Sequence, residues 1–449
     1  MRKISKTYCK FATKSFRKLG VVYSLNFIDL FAGAGGLSEG FIQAGYTPLA
    51  HIEMEKYACD TLKTRAAFHW LKSKNRLSDY KKYLYEKQEK EDGSKLWEQV
   101  PQEIIDSVIH EAIGESTLKS IFDKVDKLKG KQNIDIIIGG PPCQAYSVIG
   151  RARMKEKVLD DPRNDFYKYY VEFLVKYNPK MFVFENVKGI LSAKNGEPLK
   201  DLNRLVEKAG YKMELKIQNA AEHSVLQSRQ RVIIVGWKVR DENGNPTTFH
   251  YPELKKEENK YEVLKDLFID LPERKHGEGQ LCAPVKYMKP LSEMKYLKKS
   301  NIRNSNFDFT TQHITRPNNE NDREIYKMAV AMWLNKKKRI DYSKIPTHLQ
   351  HHKNKETFLN RFQVVDPYGF SHTVVAHIAM DGHYYIYPTP NPTVENVRSI
   401  TIREAARIQS FPDDFYFEGS RSAAFKQIGN AVPVVMAYKI AEELKEQLM

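Results

Sequence analysis

The chain has 449 residues, 41% of them hydrophobic, and its 72 Lys+Arg exceed its 56 Asp+Glu to leave a formal charge of +16. That length supports two or three domains around a large core, and the basic excess favours a polyanionic partner, nucleic acid ahead of an anionic membrane. No apolar run approaches the roughly 20 residues that span a bilayer, and four cysteines without a CxxC pair exclude a disulfide framework and a thiolate zinc site.

Residues 1–24 open with MRKISKTYCKFATKSFRK, a basic arm suited to phosphate and lacking the apolar run of a secretory signal. From Leu25 to Trp237, short apolar runs (FIDLF, PLAHIE, IDIIIGG, MFVFEN, RVIIVGW) alternate with helical patterns such as FYKYYVEFLVKY and LNRLVEKAG. The alternation predicts an α/β fold, a doubly wound, mostly parallel sheet whose ligands bind beyond the carboxyl ends of the strands. Residues 66–131 interrupt it with a polar, charged stretch that reads as an inserted helical pair, solvated in preference to DNA-contacting. Residues 238–395 are rich in Lys, Asn, His, Tyr and Pro and read as a second, smaller, irregular domain. Its amide and basic side chains are the types that contact phosphates and base edges. The histidines of HLQHHK (His348, His351, His352) read as a solvated loop, because no cysteine or carboxylate stands at a ligating spacing; no metal is expected. Residues 396–420 join the domains through REAARIQSF, and 421–449 end the chain in an amphipathic helix after GNAVPV.

Three motifs carry chemistry. In DLFAGAGGLSEGF, Gly33, Gly35 and Gly36 follow a strand and allow a tight turn close to a ligand, although Ser38 stands where a dinucleotide fingerprint has its last glycine. Glu53 ends the next strand, 20 residues after Gly33, where a carboxylate accepts from ribose hydroxyls. Phe31 and Met54 are placed to sandwich an adenine or to pack in the core. With no P-loop lysine, a nucleoside cofactor without pyrophosphate fits better than a triphosphate. In IIIGGPPCQAYS, Cys143 follows a stiff turn at a strand end, where helix-terminal N–H groups and nearby cations raise the thiolate fraction. Glu185 ends an apolar strand, where desolvation favours a protonated carboxyl able to donate to a ring nitrogen. In QSRQRVIIVG, Gln227, Arg229 and Arg231 alternate and so project to one face.

DLFAGAGGLSEGF, GGPPCQAYS, ENVKGI, QSRQRVIIVG, SITIREAARIQSFPDDF and IGNAVPV, in that order, resemble the DNA cytosine-5 methyltransferases that use S-adenosylmethionine. The resemblance covers about residues 25–237 and 363–449. It implies that Cys143 attacks C6 of a cytosine flipped out of double-stranded DNA. Glu185 would bond the ring N3 and amine, Arg231 the O2, and Gln227 and Arg229 would shape the pocket. Phe31, Gly33, Gly35, Gly36 and Pro142 would surround the cofactor. Glu53 would hold its ribose, Met54 and Phe166 its adenine, and Glu115 is the candidate acid for the adenine amine. Asn430 would close the site as the 421–449 helix returns to the catalytic domain, and 238–395 would be the target recognition domain. Arg403 and Arg407 would either anchor the domain junction or contact phosphate. The family carries Gly-Val-Pro-Gln where this chain has Ser224-Val225-Leu226-Gln227. The implied role is a monomeric, cytoplasmic, nucleoid-associated bacterial or phage modification enzyme, with a restriction endonuclease acting independently. An RNA-directed enzyme of the same fold and a silent DNA-binding regulator are the alternatives.

Overall fold

The computed structural model describes residues 24–88, 91–142, 165–352 and 356–449; Cys143 and most of the basic arm lie outside them. The chain starts with β1 (Asn26–Leu30), α1 (Gly36–Gln43), β2 (Thr47–Glu53), α2 (Lys56–Ser73) and α3 (Leu77–Glu86). It continues through β3 (Val108–His110), α4 (Leu118–Lys129), β4 (Ile136–Gly139), α5 (Phe166–Tyr177), β5 (Met181–Asn186) and α6 (Glu197–Lys208). The sheet is completed by β6 (Tyr211–Asn219), the two-residue β7 (Gln227–Ser228), which lies outside it, and β8 (Gln230–Lys238). Strand order in the seven-stranded sheet is β3-β2-β1-β4-β5-β8-β6. Strands β1 to β5 pair in parallel, and β8 runs antiparallel to both of its neighbours. The expected doubly wound, mostly parallel sheet is present. Its order turns around between β1 and β4, the position where such sheets leave a crevice at the strands' carboxyl ends.

Period-two alternation builds both faces. Ile28, Ile137, Phe182 and Ile234 point to one side, where Ile121, Val125, Phe173, Leu174, Leu202 and Val206 of α4, α5 and α6 cover them. Phe27, Ile136, Ile138, Val183 and Val235 point to the other, against Leu37 and Phe41 of α1. On that face also lie Val435, Met436, Ile440 and Leu444 of the last helix, residues Val434–Leu448. A Cβ on Gly40 would stand 2.5 Å from the Ala437 methyl, so α1 and the last helix touch backbone to backbone. Packing on the sheet therefore resumes with the last helix, after the irregular stretch between.

Two expectations need correction. The 66–131 stretch is not simply an excursion: α2 runs through its start, β3 is an edge strand of the sheet, and α4 packs on the sheet. Nor is its helical part solvated. Tyr80, Tyr83 and Leu84, spaced as one helical stripe, are buried. Tyr83 donates to Glu418 Oε1 at 2.5 Å, Tyr80 to the Asp414 carbonyl at 2.8 Å, and Lys87 pairs with Glu418 at 3.0 Å.

Residues 238–395 hold little regular structure, their longest helix being α7 (Glu320–Lys336). Two further helices precede the last: α8 (Ile402–Ile408) and α9 (Arg421–Asn430), which makes Val434–Leu448 α10. Arg403 and Arg407 of α8 are fully buried. Arg403 donates to the carbonyls of Thr311, Pro412 and Phe415. Arg407 grips Asp413 at 2.6 Å and Asp270 at 2.5 Å. Both anchor the junction, which settles the choice against phosphate contact. No helix among the described residues is long and apolar enough to cross a membrane.

Replacing Arg407 by Leu removes the guanidinium that pairs with Asp413 and leaves Asp270 to Arg303 alone, and should destabilise the fold by about 3–5 kcal/mol. Denaturant unfolding would measure this; a variant of unchanged stability would contradict the anchoring role.

Candidate active site

The β1–α1 turn bends through left-handed residues, with φ 57° at Phe31, 56° at Gly33 and 82° at Gly35. Glycine removes the steric cost at the last two. A Cβ on Gly33 would meet nothing within 4 Å, so this glycine faces open space. Gly36 differs: its Cβ would stand 2.5 Å from the Val432 carbonyl oxygen, so its side-chain position faces protein, with only its backbone left for a ligand. Ala431, immediately after the exposed Asn430, also approaches Gly36, which places Asn430 beside the turn.

Glu53 holds the turn in place. Its Oε2 accepts from Gly33 N–H at 2.7 Å, and its Oε1 from Met54 and Glu55 N–H at 2.9 and 2.8 Å. Burial pushes this carboxyl up from the ordinary range while the three N–H donors pull it back. A carboxylate has roughly four lone-pair sites, so capacity remains for a ligand hydroxyl. Phe31 and Phe166 meet at 5.4 Å between ring centroids and form one apolar wall, and Met54 is 54% exposed. The two rings are too close for a flat base to enter between them. Glu115 is exposed on the loop after β3, next to β2 in the sheet. No interaction links it to the turn among the described residues. His110, which the sequence reading missed, reaches the Met54 carbonyl at 3.0 Å.

The second cluster sits at the ends of β4 and β5 and the beginning of β8. Antiparallel pairing of β5 with β8 sets Asn186 opposite Val232, beside Arg231. Glu185 Oε1 and Arg231 Nε form an ion pair at 2.8 Å, the side chains 13% and 11% exposed. A Cβ on Gly140 would stand 2.7 Å from Glu185 Oε2, and Asn186 donates to the Pro141 carbonyl at 3.3 Å. The Gly-Gly-Pro-Pro turn is thus fastened to the Glu185 strand end, with Pro142 half-buried.

Gln227 and Arg229 alternate with exposed Ser228 and Gln230, as expected, but are fully buried. Gln227 bonds Ile408 O, Gln409 and Val374 N–H; Arg229 donates to Val374 O at 2.5 Å and Gly429 O at 3.2 Å. Their observed partners are protein groups, whereas Arg231 alone of the three pairs with Glu185. Ser224, where the family carries glycine, adopts φ 63° and is held by its hydroxyl on Glu257 at 2.5 Å.

A family profile for C-5 cytosine-specific DNA methylases matches residues 25–89 and 103–446. The chain belongs to that family. It is a DNA (cytosine-5) methyltransferase by this membership. It is 36% identical to the type II methyltransferase M.Bpa9945I of Bacillus paralicheniformis, over 93% of this chain and 98% of that one. It is 28% identical to the type II methyltransferase M1.HphI of Haemophilus parahaemolyticus, over 97% and 90%. Among solved structures it resembles a prophage-encoded DNA modification methyltransferase of E. coli, with TM-score 0.57 and 22% identity over 95% of this chain and 99% of that one. It also resembles the Entamoeba histolytica methyltransferase EhMeth, with TM-score 0.51 and 16% identity over 95% and 99%. At those identities the structural likeness concerns the fold.

Asp29, also missed in the sequence, lies buried in β1 under the methylase turn and accepts from the Ser38 hydroxyl of α1. Its signal was a lone acid inside an apolar strand. Burial pushes its carboxyl up to about 8; the Ser38 hydrogen bond opposes this and the Glu53 charge adds to it. The folded state therefore holds this proton more tightly than the unfolded chain. The stability it contributes is complete below the model-compound value of 3.8 and drains away as pH rises through about 8. Asp29→Asn cannot ionise, so wild type should lose melting temperature relative to the variant between about pH 5 and pH 8. Parallel melting curves across that range would contradict the buried, protonated state.

Proposed function

We propose that this methylase transfers a methyl group from S-adenosylmethionine to C5 of a cytosine flipped out of double-stranded DNA, through a covalent adduct on Cys143. The observation that carries the reading is the Glu185–Arg231 pair, 2.8 Å apart and packed on the turn that leads directly to Cys143. The glycine turn, the Phe31–Phe166 wall, exposed Met54 and the spare capacity of Glu53 fit a nucleoside-bearing methyl donor. Bound there, S-adenosylmethionine supplies an electrophilic methyl carbon.

The chain's residues supply the electrons and hold the base. C5 of cytosine is a weak nucleophile. Addition of the Cys143 thiolate at C6, with a proton delivered to N3, makes C5 enamine-like. Glu185 bonds N3 and the amine, and Arg231 bonds O2 and positions Glu185. After methylation a base removes the C5 proton, the electron pair re-forms the C5–C6 double bond, and the thiolate leaves. Among the described residues the cysteines are Cys59 and Cys282, both buried, and burial pushes the Cys59 thiol up to about 12. Such a group is unsuited to nucleophilic work. Gln227 and Arg229 shape the pocket indirectly, by fixing the strand that presents Arg231. Residues 238–395 read the target bases, and the +16 charge serves phosphate contact. The names of the related type II methyltransferases support a modification role in a restriction–modification system.

Cys143→Ser should abolish methyl transfer while leaving S-adenosylmethionine binding near wild type; appreciable residual transfer would exclude the covalent route. DNA carrying 5-fluorocytosine at the target should trap the protein, because fluorine cannot leave as a proton does; an unshifted band on a denaturing gel would count against the adduct. Arg231→Ala should lower turnover by about 10²-fold or more, measured with labelled cofactor on duplex DNA and on RNA in parallel. Preferential methylation of RNA would overturn the DNA assignment.

A further inference from the structure

The small core within residues 238–395 gathers side chains that the methylase chemistry does not use. Asp322 stands in the first turn of α7, His352 closes the loop of HLQHHK, and His383 lies on a turn from the far side of the region. One ligand atom of each lies within 4.8 Å of the others. Asp322 is 7% exposed, and its Oδ1 has no hydrogen-bond partner among the described residues; its Oδ2 accepts from Asn319 at 2.7 Å. His352 Nε2 is likewise buried without a hydrogen bond. Unsatisfied buried acceptors are costly, and two converging ones need a common partner. The His383 ring is oriented by the Tyr326 hydroxyl, 2.9 Å from Nδ1, the kind of outer contact that fixes a ligating imidazole. His351 Nε2 stands 3.4 Å from Asp322 Oδ1 and offers a fourth donor.

We propose that Asp322, His352 and His383 bind one divalent transition-metal ion, zinc by preference, with His351 or water completing the coordination. The donors are imidazoles and a carboxylate with no thiolate, a set that suits zinc and that binds zinc ahead of iron(II) or manganese. Tetrahedral bonds of 2.0–2.2 Å put donors roughly 3.3–3.6 Å apart, so the three side chains would close by about an ångström on binding. The ion would join the start of α7 to the histidine loop and the 383 turn, around the core of Ile325, Tyr326, Tyr342, Leu349, Phe362 and Ile386. That core has little regular structure to hold it, and a metal supplies cross-links where the chain does not. The histidine loop HLQHHK carries no carboxylate of its own. The fold brings one in from thirty residues upstream.

The test uses the full-length protein, stripped with a chelator and dialysed against zinc chloride. Wild type should retain one zinc ion per chain and gain melting temperature on binding. Asp322→Asn combined with His352→Gln should weaken zinc binding at least tenfold and abolish the thermal gain, with far-UV dichroism unchanged. His348→Gln, altered in the same loop but outside the cluster, should bind like wild type. Zinc content unaffected by the double variant, or no retained zinc in wild type, would overturn the site. Should the double variant fail to fold, cobalt-substituted wild type decides: tetrahedral visible bands without thiolate charge transfer are expected, and a thiolate band would place the ion on cysteine and refute the assignment.

Discussion

A guanidinium can be buried only where oxygens receive its N–H groups, and this architecture is arranged around three whose terminal nitrogens all find them. Arg229, Arg403 and Arg407 are each fully buried. Their acceptors are mostly backbone carbonyls: Val374, Thr311, Pro412 and Phe415 from segments with no helix or strand of their own, Leu267 from a short helical turn, and Gly429 from the end of α9. Irregular backbone cannot enter a core with its carbonyls unsatisfied. These arginines tie parts of residues 238–395 to β7, β8 and α8 where regular secondary structure is lacking, while Asp270 and Asp413 balance Arg407.

The same logic orders the site. Burying the Glu53 carboxylate is tolerated because it gathers three N–H groups, and gathering them locks the glycine turn in its left-handed path. Glu185 at a strand end is tolerated because Arg231 enters from an antiparallel neighbour. A parallel β8 would start at the opposite edge and carry Arg231 away from Glu185. The one reversed strand thus brings the carboxylate and the guanidinium together.

Much of this was legible in the sequence where the signal is local. Apolar runs of β-branched and aromatic residues marked β1, β2, β4, β5 and β8, and a glycine turn followed by an acid marked Gly33 and Glu53, which touch. Two strands escaped notice for opposite reasons: β3 is three residues long, and β6 alternates apolar and charged residues along an edge. Tyr80, Tyr83 and Leu84 showed a helical stripe inside a charged stretch, and the charge was given too much weight. Long-range partners are not written in spacing. That Gln227 and Arg229 would bond the backbone, that Arg407 would meet Asp270, and that Asp322 would lie beside His352 all depend on how distant segments cross.

The lateness of α10 carries a consequence for how the molecule is made. Its apolar face covers α1, the helix that continues the glycine turn, and it follows the whole irregular region. During synthesis α1 emerges far ahead of the helix that covers it. The nascent sheet must wait with one greasy flank bare until α10 has been made, an interval in which that exposed apolar surface invites aggregation.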